Sequence, residues 1–210
     1  MPKSQREINP RGKGGQLRDE ILHAAARLLE SSSRDAITLR GIAREAGIAA
    51  PSIYVHFADR DAVIDAVVTQ AFHVLTTACE SAYATAEASG AAKVRAVCAA
   101  YVRFASEHPA EYRTLFDSPR QVVADKADLP NATSQAHDAG LAAFRPLADA
   151  LAAAVEDGSA VSADPELDAQ ALWCGVHGLL MLLSAAPTFP WRDASMLIER
   201  LVVALAGLRT

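Results

Sequence analysis

From Leu17 to Leu208 apolar residues return at every third or fourth position in one stretch after another, and most stretches are bounded by a capping residue, a glycine or a proline. That period gathers them on one face of an α-helix, whereas a half-buried strand requires strict alternation. Alanine, the strongest helix former, fills 45 of the 210 positions. β-Branched and aromatic residues, which favour sheet, are comparatively few. The expected fold class is all-α. With 51% hydrophobic and 21% charged residues the chain can build a packed core. Its length allows either one compact fold or a small head on a larger body.

The stretches can be delimited by their start and stop signals. The first carries Leu17, Ile21, Ala24, Ala25, Leu28 and Leu29 and runs into Ser31-Ser32-Ser33. Thr38 offers an N-cap to a short helix, Leu39 to Ala46, and Gly47 supplies its stop. Four residues later Pro51 fits the first turn of another short helix reaching about Phe57. Two short helices joined by a glycine-containing turn read as a helix-turn-helix. Asp59 caps a long helix to about Ala88, and Ala91 to Glu107 forms the next, ended by His108-Pro109. A short helix carries Tyr112, Leu115 and Phe116, and residues 118–132 read as a loop. Thr133 to Asp157 is helical with Leu141, Phe144, Ala148, Leu151 and Val155 on its stripe, and Pro146 should kink or split it. Asp164-Pro165-Glu166 opens a helix to about Ala185. After Pro187 and Pro190 the last helix, Asp193 to Leu208, presents Leu197, Leu201, Ala204, Leu205 and Leu208.

Charge is unevenly placed. Cut after Arg60, the first segment carries a net +3 and the remainder −8. The first 18 residues hold Lys3, Arg6, Arg11, Lys13 and Arg18 against Glu7 alone. A basic tail on an acidic body suits an arm that meets phosphate, and equally a tail that only solubilises. Cys79, Cys98 and Cys174 form neither a disulfide framework nor a zinc spacing, which fits reduced thiols and a cytoplasmic location. The N-terminus has no apolar core of a secretory signal. Residues 169–191 lack Asp, Glu, Lys and Arg, but Gln170, His177, Pro187 and Pro190 leave too short an apolar run to span a bilayer. A buried core helix, not a membrane segment, is expected.

Within residues 38–60, Thr38, Ile42, Ala43, Ala46, Gly47, Ile53, Tyr54, His56 and Phe57 reproduce a fixed-spacing pattern. It resembles the signature of the tetracycline-repressor (TetR) family of bacterial transcription regulators. The segment Trp173-Cys174-Gly175-Val176-His177-Gly178 further resembles the Trp, three residues, His-Gly pattern of one subgroup. The resemblance implies nine helices, three in a DNA-binding head and six in a body that dimerises through its last two helices and often holds a small molecule. The corresponding division is an arm over 1–16, a head over 17–60 and a body over 61–210. Where family members often carry Ser and Gly, this chain has Ala49 and Pro51, so the recognition helix lacks a side-chain cap. Arg60 stands where Lys is usual and offers a forked phosphate ligand.

Ile53 and Phe57, four apart, should pack into the head and leave Ala50, Ser52, Tyr54 and His56 towards a DNA groove or its walls. The resemblance implies phosphate contacts from Thr38, Tyr54 and His56, with Arg40 and Arg60 as charged neighbours. Half-buried polar residues without a DNA role are the alternative for Tyr54 and His56. Ala49, Ala50 and Pro51 offer no donor and can meet only thymine methyls. Arg11-Gly12-Lys13-Gly14-Gly15 can enter a minor groove.

In the body, Phe72, Tyr101, Phe104, Tyr112, Phe116, Phe144 and Trp173 fall on inward stripes. Singly each reads as core. Together they can line an apolar pocket with the tyrosine hydroxyls and His177 as orienting groups. His177 reads as well as a satisfied core or interface histidine. Ala171, Gly175 and Gly178 make a small-residue face, expected with Leu179, Leu197, Leu201 and Leu205 to form a homodimer interface. No serine-hydrolase, zinc-protease, Cys-X-X-Cys or dinucleotide motif occurs, and no metal or cofactor is expected.

The expected function is a repressor that binds double-stranded, palindromic operator DNA as a homodimer and is released by a small apolar ligand. The alternative is a DNA-binding protein of the same fold controlled by a protein partner. A real apolar cavity in the body favours the first, a filled core the second. A helical enzyme requires polar residues converging in that cavity.

Overall fold

The computed structural model describes residues 14–116 and 131–209, without the side chains of Gly14 and 131–134. The described chain folds into eight α-helices and two 3-10 segments. In order these are α1 (Gly14–Ser31), a 3-10 turn (Arg34–Ala36), α2 (Leu39–Ala46), a 3-10 segment (Ala50–Val55), α3 (Arg60–Thr85), α4 (Gly90–Glu107), α5 (Pro109–Phe116), α6 (Asn131–Glu156), α7 (Pro165–Ala185) and α8 (Ala194–Leu205). No strand forms among the described residues, and Ala160 and Leu208 make one isolated antiparallel bridge. The expected basic arm lies mostly outside the described residues. Its end does not: α1 already begins at Gly14, three residues before the expected Leu17. The expected loop over 118–132 lies outside them up to residue 130.

The caps act as the sequence reading expects. Thr38 Oγ1 accepts from Gly41 N at 3.1 Å, Asp59 from Ala62 N at 2.8 Å, and Asp164 from Leu167 N at 3.0 Å. Each satisfies one of the N–H groups that a helix start leaves unpaired. Gly47 takes φ +68°, the left-handed turn that closes α2 without a Cβ penalty. Pro146 does not split its helix, because α6 continues through it to Glu156. Leu208 is not helical: α8 stops at Leu205, and the chain turns so that Val161 N donates to Gly207 O at 2.9 Å.

The core is continuous from head to body. Ile21, Ala24, Ala25 and Leu29 of α1 pack with Ile42, Ala43, Ile53 and Phe57, and the same cluster runs on through Ile64, Val68, Leu75, Val94, Leu151 and Leu172. Long α3 lies against α4 and α6 as the spine of the body. Two polar links reinforce the junction. Arg34 Nη2 lies 2.9 Å from Asp65 Oδ1, and Arg113 Nη2 donates to Glu30 O at 2.5 Å at the end of α1.

Only 22% of the most apolar window of α7 is buried within the chain, against 50% for α3. Both are long and apolar enough to cross a bilayer by length and composition alone. Burial of the α3 window in the body accounts for its composition, whereas α7 leaves an apolar face open.

Candidate functional site

Two surfaces concentrate the chemistry, one on the head and one inside the body. On the head, the segment expected as an α-helix from Pro51 is a 3-10 helix over Ala50–Val55, and Ala49 gives it no side-chain cap. Pro51 pre-sets its first turn. Ile53 and Phe57 still turn inward, joined by Phe57 N donating to Ile53 O at 2.9 Å. Tyr54 is 61% exposed, Pro51 and Ala49 are exposed, and Ala50, Ser52 and His56 are half-buried. Thr38 and Arg40 are exposed beside them. Because Thr38 Oγ1 only accepts from Gly41, its O–H remains available to donate. Arg60 turns onto its neighbour instead, with Nη2 at 2.7 Å and Nε at 3.0 Å from Asp61 Oδ1.

Val55, which α-helical spacing does not place towards the groove, is 79% exposed. In a 3-10 helix residues three apart eclipse, so Ser52 and Val55 share a side.

Inside the body a cavity of about 370 Å³ opens between α3, α4, α5, α6 and α7. Its apolar wall includes Phe72, Leu75, Val97, Phe116, Phe144, Leu147 and Trp173, with Cys79 and Cys98 at the α3–α4 side. Burial pushes the Cys79 thiol up to about 11 and the Cys98 thiol to about 12, so both stay protonated. His137, Leu141, Glu166 and Gln170 stand on the α6 and α7 side. Tyr101 is the polar group that reaches the wall from α4, and it belongs to a network. Trp173 Nε1 donates to Tyr101 Oη at 3.2 Å, Tyr101 Oη lies 3.1 Å from Tyr112 Oη, and Tyr112 Oη lies 2.6 Å from His177 Nδ1. Burial raises both phenols, Tyr112 to about 12, and lowers His177, so the network is uncharged.

The profile described as bacterial regulatory proteins, tetR family, matches residues 21–67. The profile described as Tetracyclin repressor-like, C-terminal domain, matches residues 94–205, more than half of the chain. The chain belongs to the TetR family.

Among solved structures, this TetR-family chain is similar to a protein with unknown function from Rhodococcus sp. RHA1, with TM-score 0.78 and 27% identity, over 96% of this chain and 100% of that one. A bacterial regulatory protein in the tetR family from Rhodococcus RHA1 gives TM-score 0.72 at 18% identity, over 93% and 99% of the two chains. FadR from Bacillus subtilis, a transcriptional regulator in complex with stearoyl-CoA, gives 0.71 at 14%, over 91% and 99%. At the two lower identities the likeness concerns fold alone. No curated protein sequence matches. The chain is thus a TetR-family transcriptional regulator with a helix-turn-helix head.

Of the residues expected to line a pocket in this regulator, Phe72, Tyr101, Phe116, Phe144 and Trp173 do so. Phe104 does not: it packs over the His108 ring at 5.2 Å, beside a groove between α3 and α4. Tyr112 and His177 sit behind the wall, bonded to Tyr101. An inward stripe says that a side chain is covered, not by which neighbour.

The expected dimer residues also divide. Leu179 is buried within the chain, and a Cβ on Gly175 would meet Leu205 Cδ1 at 2.8 Å. Gly175 therefore admits α8 of the same chain. Ala171 is exposed, Gly178 faces open space, and Leu197, Leu201 and Leu205 are half-buried against their own chain. The open face instead carries Cys174, Leu182 at 54% exposure and, on α8, Met196 at 61%.

Proposed function

We propose that this regulator is a homodimeric repressor that leaves a palindromic operator when a small, mainly apolar molecule enters the body cavity. The cavity carries this reading, because α3 connects it directly to the head. That helix begins at Arg60, immediately after the 3-10 recognition segment, and contributes Phe72, Leu75 and Cys79 to the cavity wall. A shift of its body end therefore moves the head. Helix α5 provides a second link, with Phe116 in the wall and Arg113 clamped on the end of α1. A body with so large an apolar cavity favours small-molecule control over control by a protein partner. The similar fold of FadR in complex with stearoyl-CoA supports a ligand role for such a body.

In this reading residues 17–60 form the DNA-binding unit and 61–210 the ligand-binding and dimerisation unit, and the protein works in the cytoplasm. Thr38, Tyr54 and His56, with Arg40, hold phosphates, while Ala49, Ala50, Pro51, Ser52 and Val55 face the groove. Apolar groove residues read thymine methyls. Two-fold symmetry requires two heads spaced by about one turn of DNA. The open α7–α8 face joins the copies. Selection of genomic fragments by the purified protein tests the reading. The selected sites should share a pseudo-palindrome and their gel shift should weaken steeply between 50 and 200 mM salt. A protein that shifts no fragment in a salt-sensitive way refutes it.

A further inference from the structure

The two sides of the cavity differ in their access to water. Among the described lining residues the exposed ones all stand on two helices, His137 and Leu141 on α6 and Glu166, Gln170 and Trp173 on α7. Their spacings of three and four residues make one stripe along each helix, so the two stripes are the edges of a mouth. The cavity opens to solvent between α6 and α7. Its α3 and α4 side is closed: Leu75, Cys79, Val97 and Cys98 are all buried there.

The chemistry of the two sides differs with their access. At the mouth the Glu166 carboxylate accepts, while the Gln170 amide and the His137 imidazole offer donors as well as acceptors. A polar group of either kind placed there keeps water or finds a partner. The closed side offers hydrocarbon and two thiols, and thiols are weak hydrogen-bonding groups. The Tyr101 hydroxyl stays with Trp173, 3.2 Å from its Nε1, and is shared with Tyr112 at 3.1 Å. A polar group carried to the closed side therefore gives up its water for weak partners, a cost that an apolar group does not meet.

We infer that the cavity takes amphiphiles with a single polar end, which enter between α6 and α7, seat the apolar end against Cys79 and Cys98, and leave the polar end at Glu166, Gln170 and His137. The inference rests on the ligand-binding reading above and specifies its ligand class and orientation. Four probes with one apolar body test it: 4-butylbenzyl alcohol, 4-butylbenzylamine, 4-butylbenzoate and the two-ended 4-(4-hydroxybutyl)benzyl alcohol. Binding is measured by calorimetry on the full chain, which needs no assumption about polar-end charge. Glu166→Lys reverses the charge of an exposed residue at the mouth. It should weaken the amine several-fold, tighten the benzoate several-fold and leave the alcohol unchanged, because only a charged end held at the mouth feels the reversal. The two-ended alcohol should bind the unaltered protein at least about tenfold more weakly than 4-butylbenzyl alcohol. Amine and benzoate that bind but do not respond in opposite directions overturn the orientation, and a two-ended alcohol as tight as the one-ended overturns the apolar closed side. In both cases the cavity remains a ligand site. Binding of none of the four overturns the ligand-binding reading as well.

Discussion

The head surface and the body cavity treat polar groups in opposite ways. On the head, Tyr54 stands exposed and the Thr38 hydroxyl keeps a free proton after capping α2. In the body, Trp173 and Tyr101 in the cavity wall and Tyr112 and His177 behind it hydrogen-bond with one another. Among the described residues no buried side-chain nitrogen or oxygen lacks a partner. A surface that must meet DNA keeps its donors unspent, whereas a cavity that must hold its shape spends them internally. Changes at the exposed residues of the head should therefore alter binding and spare stability, and changes behind the cavity should do the reverse.

Adjacent residues offer the sharpest version. Ile53 is fully buried and Tyr54 is exposed on the same 3-10 segment. Ile53→Ala should cost about 2–5 kcal/mol in urea unfolding. Tyr54→Phe should change stability by less than about 0.5 kcal/mol. Comparable losses from both would break the comparison.

The open α7–α8 face is a third kind of surface, neither spent nor polar. Leu182→Glu should give monomers by light scattering with helix content unchanged, since Leu182 is exposed within its own chain. A dimer of unchanged mass rejects this face as the interface. Leu205 is a poorer test, because it packs near Gly175 of the same chain.

Behind the cavity, Tyr112→Phe removes the hydroxyl that lies 2.6 Å from His177 Nδ1 and should destabilise by about 1–3 kcal/mol. Burial lowers the His177 pKa from its ordinary 6.5. The unfolded chain therefore binds the proton more readily than the native one. The contribution is fully present above pH 6.5 and is lost as pH falls below it towards the native value. His177→Gln should flatten that part of the stability profile, and an unaltered acid slope would show that other groups produce it.

At the DNA surface the effects are smaller. Tyr54→Phe should weaken binding by about 0.5–1.5 kcal/mol on all sequences alike. Arg60→Ala should do less, because Asp61 already engages the guanidinium. Loss of affinity confined to one operator would make Tyr54 a base reader.

The same contrast explains what could be read from sequence. The head is built from contiguous residues, so Thr38, Gly47, Ile53 and Phe57 announce their positions by spacing alone. The 3-10 winding is not evident in the sequence, because a first-turn proline suits an α-helix equally and the segment is only six residues long. The cavity draws on α3, α4, α5, α6 and α7, between Phe72 and Val176. Periodicity marks each of its aromatic residues as inward without pairing them, so it does not separate Phe104 and Tyr112 from the residues of the wall, and it leaves His177 open between an orienting group and the satisfied core histidine found here. Glu166 reads in sequence as a first-turn acid and takes that position in α7, yet it also stands at the cavity. Gly175 reads as a seat for a neighbouring helix, and local pattern cannot tell that the neighbour is α8 of the same chain.

The account stands on the connection between the two regions through α3 and α5. Trp173 fluorescence in a Trp191→Phe protein, titrated with 4-butylbenzyl alcohol as an apolar probe of the cavity in the presence and absence of the selected operator, measures that connection. Operator should weaken the alcohol's binding by the same factor by which the alcohol weakens operator binding, about 5–150-fold. Equal affinity in the two titrations, from a molecule that fills the cavity, would contradict it.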